Sequence, residues 1–319
     1  MLMHSYLVNI LIQSTGLDIV PAIIAKMQSL KPEWTYHAHP SATACDYAIV
    51  WKPPAEIFAQ HPKLKAVINY GAGVDAILAM GVVPAHIPIV RLEDAGMAQQ
   101  MAQYAMYGVI HHQRRMTIYR EQQARGHWQQ HEDRGHIPNP TVGVMGLGEM
   151  GGHVAAKLAQ FGYTVVGWSR SGAKFAKLIE RMETYAGDGE LPAFLQRCDV
   201  LVCLLPLTPQ TRGILNKTNL SYLRRNAFLI SAGRGGHMVD ADVLAALDSG
   251  QLAGALLDVF HEEPLPKDSP FWSHPNVLVT PHVSATTPLQ NACEQIVEKI
   301  EALERGERVS GIVDPSKAY

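Results

Sequence analysis

The sequence predicts an α/β protein built of two doubly wound domains, and three observations lead there. Apolar runs of strand length alternate with helix-like stretches along nearly the whole chain. A glycine-rich strand-to-helix turn, Gly146 to Gly151, sits near the middle of the 319 residues, so a separate α/β unit must precede it. The last helical pattern follows the final strand of the second unit and can cross back to the first. Residues 1–103 plus 288–319 are therefore expected to form one domain and residues 104–287 the other. A chain of this length can bury a core in each.

In the first domain, Tyr6 to Ile12, Asp46 to Trp51 and Leu64 to Tyr70 read as buried strands. Pro21 suits the first turn of a helix over Ala22 to Leu30. The third strand runs into GAGVD, Gly71 to Asp75, a second glycine-rich turn. Its backbone N–H groups can hold a small carboxylate, or it is a simple connection. One helix is expected from Met97 to about Tyr119, with Met101, Tyr104, Ala105, Gly108 and Val109 on buried faces. The polar stretch Tyr119 to Pro140, carrying Trp128, reads either as a surface loop or as an arm ordered by a partner subunit.

The second domain begins with the strand of TVGVMGLGEMGG, Thr141 to Gly152, and its helix extends to Phe161 with Gly162 as the cap. Further strands are expected at Thr164 to Trp168, Val200 to Leu205, Ala227 to Ser231, Gly254 to Val259 and Val277 to Thr280. Asp240 reads as the N-cap of a helix over Ala241 to Asp248, and Pro288 to about Arg305 forms the closing helix.

Composition narrows the function classes. The chain is 47% hydrophobic and 18% charged with a formal net charge of −2, which suits neither a disordered protein nor a polyanion-binding surface, so nucleic acid is not an expected partner. Cys45, Cys198, Cys203 and Cys293 form no C-x-x-C pair and sit in apolar segments, as expected of reduced thiols in a cytoplasmic protein. Among the 15 histidines, His111, His112, His131 and His136 lie close in sequence, but none forms H-E-x-x-H, so no metal is expected. The apolar start is too short to span a bilayer, and no membrane partner is expected.

The central turn fits G-x-G-x-x-G over Gly146, Leu147, Gly148, Glu149, Met150 and Gly151. The first glycine permits the tight turn, the second lets a dinucleotide pyrophosphate approach bare backbone, and the third allows helix and strand to pack closely. The anion then rests on free N–H groups at the helix N-terminus. A cofactor with a free 2′-hydroxyl is usually held by an acidic residue about 20 positions further on. Here the second strand ends Ser169, Arg170, Ser171, with Lys174 beyond and no acid. Arg170 can pair with a 2′-phosphate as a fork while the serines donate to it, which points to NADP rather than NAD; otherwise it is a solvated surface arginine.

Three segments then follow predicted strand ends, where open α/β sheets bind ligands: SAGRGGHMVD (Ser231 to Asp240), LDVFHEEPLP (Leu257 to Pro266) and VTPHVSATT (Val279 to Thr287). The order G-x-G-x-x-G, Arg-Gly, DVF-x-x-EP and TPH resembles the D-isomer-specific 2-hydroxyacid dehydrogenases over nearly the whole chain. VWKPP (Val50 to Pro54), GAGVD, RLEDAGM (Arg91 to Met97) and the WSRS segment resemble most the glyoxylate/hydroxypyruvate reductase branch. The resemblance implies a Rossmann cofactor domain inserted in a flavodoxin-like substrate domain, a small 2-oxo or 2-hydroxy acid as substrate, and a homodimer. It implies that Arg234 binds substrate and that His282, paired with Glu263, is the acid. It also implies that Leu205, Pro206, Thr211, Ala232, Gly233 and Asp258 border the cofactor, and that Ala72, Gly73 and Val74 face the substrate. Trp51 is either a pocket wall or core.

The chemistry suits those residue types. Arg234 can bind the substrate carboxylate and polarise the neighbouring carbonyl, while an imidazolium at His282, favoured and oriented by Glu263, can protonate the developing alkoxide. The leading expectation is NADPH-dependent reduction of glyoxylate, hydroxypyruvate or a similar acid. The alternatives are a dehydrogenase of a bulkier D-2-hydroxy acid and a dinucleotide-sensing binding protein, the latter disfavoured because Arg234, Glu263 and His282 are all present.

Overall fold

The computed structural model describes residues 7–130, 138–170 and 182–314. The chain divides into two compact units, Met1–Gly96 with Thr287–Tyr319 and Met97–Thr286. A division after Gln103 would cut the helix Met97–Gln113, whose Met101 and Ala102 share a core with Ala105 and Val109 beyond that point.

The first unit is a five-stranded parallel sheet of β1 (Asn9–Ser14), β2 (Thr35–Ala38), β3 (Tyr47–Trp51), β4 (Ala66–Asn69) and β5 (Ile89–Arg91), in the order β2-β1-β3-β4-β5. That is the flavodoxin-like order, with the reversal between β1 and β3. Ser14 and Trp51 pair at the carboxyl ends of these two strands. Helices α1 (Val20–Leu30), α2 (Glu56–Gln60) and α3 (Asp75–Ala79) connect the strands. The central strands β1, β3 and β4 are largely apolar because both faces are covered; Ile10, Leu11, Ile12, Ile49 and Val50 are wholly buried.

The second unit opens with α4 (Met97–Gln113) and α5 (Met116–Ala124). Its seven parallel strands are β6 (Thr141–Met145), β7 (Thr164–Ser169), β8 (Glu183–Ala186), β9 (Val200–Cys203), β10 (Ala227–Ser231), β11 (Leu252–Leu257) and β12 (Val277–Val279). They lie in the order β12-β11-β10-β9-β6-β7-β8, a Rossmann arrangement with its reversal between β6 and β9. Among the described residues, the α-helices that follow β6 in this unit are α6 (Glu149–Gln160), α7 (Gly187–Leu195), α8 (Lys217–Ser221) and α9 (Asp240–Asp248). Alternate residues of β6 face opposite layers: Val142 and Val144 join α4 and α6, whereas Met145 joins the layer of Phe194, Leu220 and Val243. Wholly buried side chains of this size each stabilise the fold by about 1.5–3 kcal/mol. After this unit, α10 (Leu289–Glu304) returns to the first one, where it packs on α1.

Four expectations are corrected. The helix expected to run unbroken from Met97 to Tyr119 divides at Arg115, which adopts a left-handed conformation (φ 54°) after its N–H bonds three residues back to His112. Apolar periodicity does not register such a break. The polar stretch after Tyr119 continues helical to Ala124, and α5 buries none of its residues. Asp240 is the first residue of α9 rather than its N-cap, which is Val239. Strands β2, β5 and β8 were not expected; all three are sheet edges, and β2 and β8 are too exposed to carry an apolar run.

Candidate active site

The glycine loop leaves the carboxyl end of β6 at the strand-order reversal. Gly146 has φ +96° and donates its N–H to the Trp168 carbonyl at 2.8 Å; a Cβ there would lie 2.8 Å from the Leu204 carbonyl oxygen. At Gly151 a Cβ would lie 1.7 Å from the Gly146 oxygen, so helix and turn touch through bare backbone. Gly148 is different: a Cβ would meet nothing within 4 Å. It is the N-cap of α6 and supplies no side-chain cap, so the first-turn amides, those of Glu149 and Met150 among them, have no intrahelical acceptor. Leu147 turns inward and packs over Gly167. The three glycines thus divide into two that close the turn and one that leaves room for a pyrophosphate.

At the end of β7 the Ser169 hydroxyl is buried with no hydrogen-bond partner. Next to it, Arg170 Nη1 donates to Gln210 Oε1 at 3.1 Å and to Thr208 Oγ1 at 3.4 Å. An orphan hydroxyl beside a guanidinium, with no carboxylate hydrogen-bonded to either among the described residues, fits a 2′-phosphate. Ser171 and Lys174 lie outside the described residues. The loop after β9 includes Leu205 and Pro206 and is shaped by Thr211, whose hydroxyl accepts the Thr208 N–H at 2.8 Å and donates to the Pro206 carbonyl at 2.7 Å.

The adjacent strands β10, β11 and β12 deliver Arg234, Glu263 and His282 to one end of the sheet; Ser231 pairs with Leu257, and Leu257 with Val279. The segment Ala232 to Gly236 lies between two backbones. A Cβ at Gly233 would be 3.1 Å from the Leu205 oxygen, and one at Gly235 would be 1.9 Å from the Phe260 carbonyl carbon. Arg234 Nη1 donates to the Gly233 carbonyl at 2.9 Å, and its N–H donates to His237 Nδ1 at 3.3 Å.

His282 Nδ1 and Glu263 Oε2 are 2.8 Å apart, while Glu263 Oε1 accepts the Phe260 N–H at 3.1 Å. The carboxylate is therefore anchored on one oxygen and presented to the imidazole by the other. With Nδ1 so engaged, Nε2 is the ring nitrogen left to exchange a proton with a ligand. His282 itself is left-handed (φ 54°). Its N–H donates to the Asp258 carbonyl at 2.9 Å. Asp258 is wholly buried, and its carboxylate accepts from Thr280 Oγ1 at 2.5 Å, Val283 N–H at 2.8 Å and Ser284 N–H at 2.9 Å. Tyr104 on α4 reaches Thr280 Oγ1 at 2.6 Å. Sequence reading placed Tyr104 on an apolar helix face and gave Thr280 no task. The available signal was a phenol among Met, Ala, Gly and Val, since a buried tyrosine hydroxyl needs a partner.

In the first unit, Trp51 is partly buried at the carboxyl end of β3 with its ring against Gly71, where a Cβ would lie 2.8 Å from the indole. Asn69 Nδ2 donates to the Gly71 and Gly73 carbonyls at 3.1 and 2.9 Å, which pins the turn holding Ala72, Gly73 and Val74; Val74 is buried. Trp51 and this turn thus lie together at neighbouring strand ends.

All four cysteines are free and buried. Among the described residues, no three His, Cys, Asp or Glu side chains come together to hold a metal ion, and no helix is long and apolar enough to cross a membrane.

Residues 106–284 match the family described as D-isomer specific 2-hydroxyacid dehydrogenase, NAD binding domain. Glyoxylate/hydroxypyruvate reductase A of Yersinia enterocolitica is 47% identical over 279 residues, covering 86% of this chain and 88% of that protein. The reductase A of Serratia proteamaculans is 46% identical over the same shares. A D-isomer specific 2-hydroxyacid dehydrogenase of Xanthobacter autotrophicus Py2 in complex with NADPH and MES superimposes with a TM-score of 0.90 at 38% identity, covering 98% of this chain and 100% of that one. The NADPH-dependent glyoxylate/hydroxypyruvate reductase of Sinorhizobium meliloti, in complex with NADP and sulfate, gives 0.89 at 36% identity over 98% and 100%. With a family match across more than half its length and relatives this similar, the chain belongs to the D-isomer specific 2-hydroxyacid dehydrogenase family.

Proposed function

We propose that the protein is an NADPH-dependent reductase of small 2-oxo acids, glyoxylate and hydroxypyruvate, to the corresponding 2-hydroxy acids. The observation that carries this reading is the 2.8 Å His282–Glu263 pair at the same sheet end as Arg234, in a chain whose relatives bear that name. The chemistry supplied by NADPH, when bound, is a hydride for the carbonyl carbon. Gly148, Ser169 and Arg170 hold that cofactor through its pyrophosphate and 2′-phosphate, with Leu147, Leu205, Pro206, Ala232 and Gly233 as the wall around it. Arg234 binds the substrate carboxylate and draws charge onto the carbonyl oxygen. His282 gives the Nε2 proton to that oxygen, and Glu263 stabilises the imidazolium beforehand and orients the ring. The neutral imidazole is reprotonated from water, to which its side chain is 39% exposed. Backbone N–H groups of Ala72 to Val74 offer further donors to a carboxylate, and Trp51 limits the size of the acid accepted.

NADPH consumption measured on glyoxylate, hydroxypyruvate, pyruvate and phenylpyruvate tests the reading. Turnover of the first two is expected; turnover of phenylpyruvate alone favours the bulkier dehydrogenase, and tight cofactor binding without turnover favours a sensor.

A cytoplasmic homodimer completes the proposal. Free, buried cysteines suit the cytoplasm, and four exposed apolar side chains on and beside α4 and α5 support the dimer: Tyr107, Met116, Ile118 and Trp128, the last 91% exposed. Size exclusion of wild type and Trp128→Ser reads the association directly.

A further inference from the structure

We propose that Tyr104, Thr280 and Asp258 form a hydrogen-bonded chain whose task is to position His282, which makes Tyr104 and Thr280 positioning residues for the proton transfer. The inference rests on the reading of His282 as the acid.

Direction in the chain follows from donor supply. An ionised carboxylate only accepts, so the single hydroxyl proton of Thr280 goes to Asp258 Oδ1 at 2.5 Å. The Thr280 oxygen must then accept at 2.6 Å from Tyr104, a phenol whose pKa burial pushes well up, so that it stays protonated. Beyond Asp258 the chain divides. Oδ1 also accepts the Val283 N–H, Oδ2 accepts the Ser284 N–H, and the Asp258 main-chain oxygen accepts the His282 N–H. Three consecutive amides, those of residues 282 to 284, are thus held by one buried residue.

The backbone needs this hold. His282 sits at φ 54°, a conformation that residues other than glycine adopt rarely and keep only when their surroundings over-determine it. Left-handed geometry aims the side chain from the end of β12 toward Glu263; relaxing φ would swing the imidazole away. Asp258 has no lysine or arginine hydrogen-bonded to it among the described residues, so its charge is balanced by these donors, and deleting one weakens the rest. α4 takes part through Tyr104, which ties a helix distant in sequence to the loop bearing the acid.

The test uses Thr280→Val, Thr280→Ser and Tyr104→Phe in the full chain, with His282→Gln as reference. Thr280→Val keeps shape and removes both hydrogen bonds, and a misplaced catalytic group lowers kcat by about 10- to 100-fold. The KM for glyoxylate and the dissociation constant for NADPH should change less than about threefold, since binding groups are untouched. Thr280→Ser should recover most of the lost kcat, and Tyr104→Phe should fall between. In the double variant with His282→Gln, Thr280→Val should cost nothing further, because it acts only through the imidazole. An additive loss in the double variant, a KM or cofactor-affinity effect without a kcat effect, or wild-type kcat in Thr280→Val overturns the proposal. If Thr280→Val fails to fold, the Tyr104→Phe cycle with His282→Gln gives the same decision. Wild-type turnover by His282→Gln instead defeats the reading of His282 as the acid and is distinguishable from all of these.

Discussion

Replacing Glu263 by Gln removes the charge beside His282 while preserving size, and the structure sets what should follow. A contact of 2.8 Å between Nδ1 and Oε2 places the two charge centres about 4 Å apart, where opposite charges attract by about 1 kcal/mol in water and about 4 kcal/mol at an effective dielectric of 20. The histidine and glutamate side chains are 39% and 27% exposed, which puts the pair toward the watery limit, at about 1–2 kcal/mol. That energy stabilises the imidazolium. Proton transfer needs the imidazolium held in place, so losing about 1–2 kcal/mol of that contact should lower kcat/KM for glyoxylate reduction by about 5- to 30-fold. Geometry adds a second penalty. The carboxylate accepts both from Phe260 N–H and from the ring, whereas an amide with its oxygen on the Phe260 N–H turns its NH2 toward Nδ1, where it can donate to a neutral ring but cannot accept from the imidazolium. The assay is NADPH consumption under saturating cofactor over a range of glyoxylate concentrations for wild type and Glu263→Gln. A kcat/KM within about twofold of wild type refutes the reasoning.

Arg234→Lys retains charge but loses the planar fork, so kcat/KM for hydroxypyruvate should fall by about 10- to 100-fold, with NADPH affinity unchanged. Arg170→Ala should raise the KM for NADPH by about 10- to 100-fold and leave that for NADH nearly as it was, since only the former carries the 2′-phosphate; equal effects on both would remove Arg170 from cofactor selection. His112 stacks on Phe228 with centroids 5.0 Å apart, and burial lowers its pKa to about 4, an effect that Asp199 opposes and His111 reinforces. The folded state therefore binds its proton later than the unfolded chain, whose histidine titrates near 6.5. Stability is complete above that value and should fall by about 2 kcal/mol between about pH 7.5 and about pH 5, a slope that His112→Gln should flatten in urea denaturation.

Much of this protein was legible in local sequence because the physics is local. The Gly146 to Gly151 loop could be read because each glycine answers a backbone demand within a few residues. Arg234, Glu263 and His282 could be placed at strand ends because β10 and β11 are buried and apolar, and β12, though a half-buried edge strand, is a bounded apolar run. The order of strands within each sheet is different in kind: β1 beside β3 and β6 beside β9 are pairings between segments far apart in the chain, and only the tertiary structure shows them. Edge strands β2 and β8 left little apolar signal because they are exposed, and β5, although Ile89 and Val90 are buried, is only three residues long. The left-handed Arg115 and His282 conformations follow from packing and hydrogen bonding rather than from residue preference. Tyr104 marks the boundary most clearly. Its spacing announced a buried helix face, but the task of its hydroxyl became visible only when folding brought α4 to Thr280 and the buried Asp258.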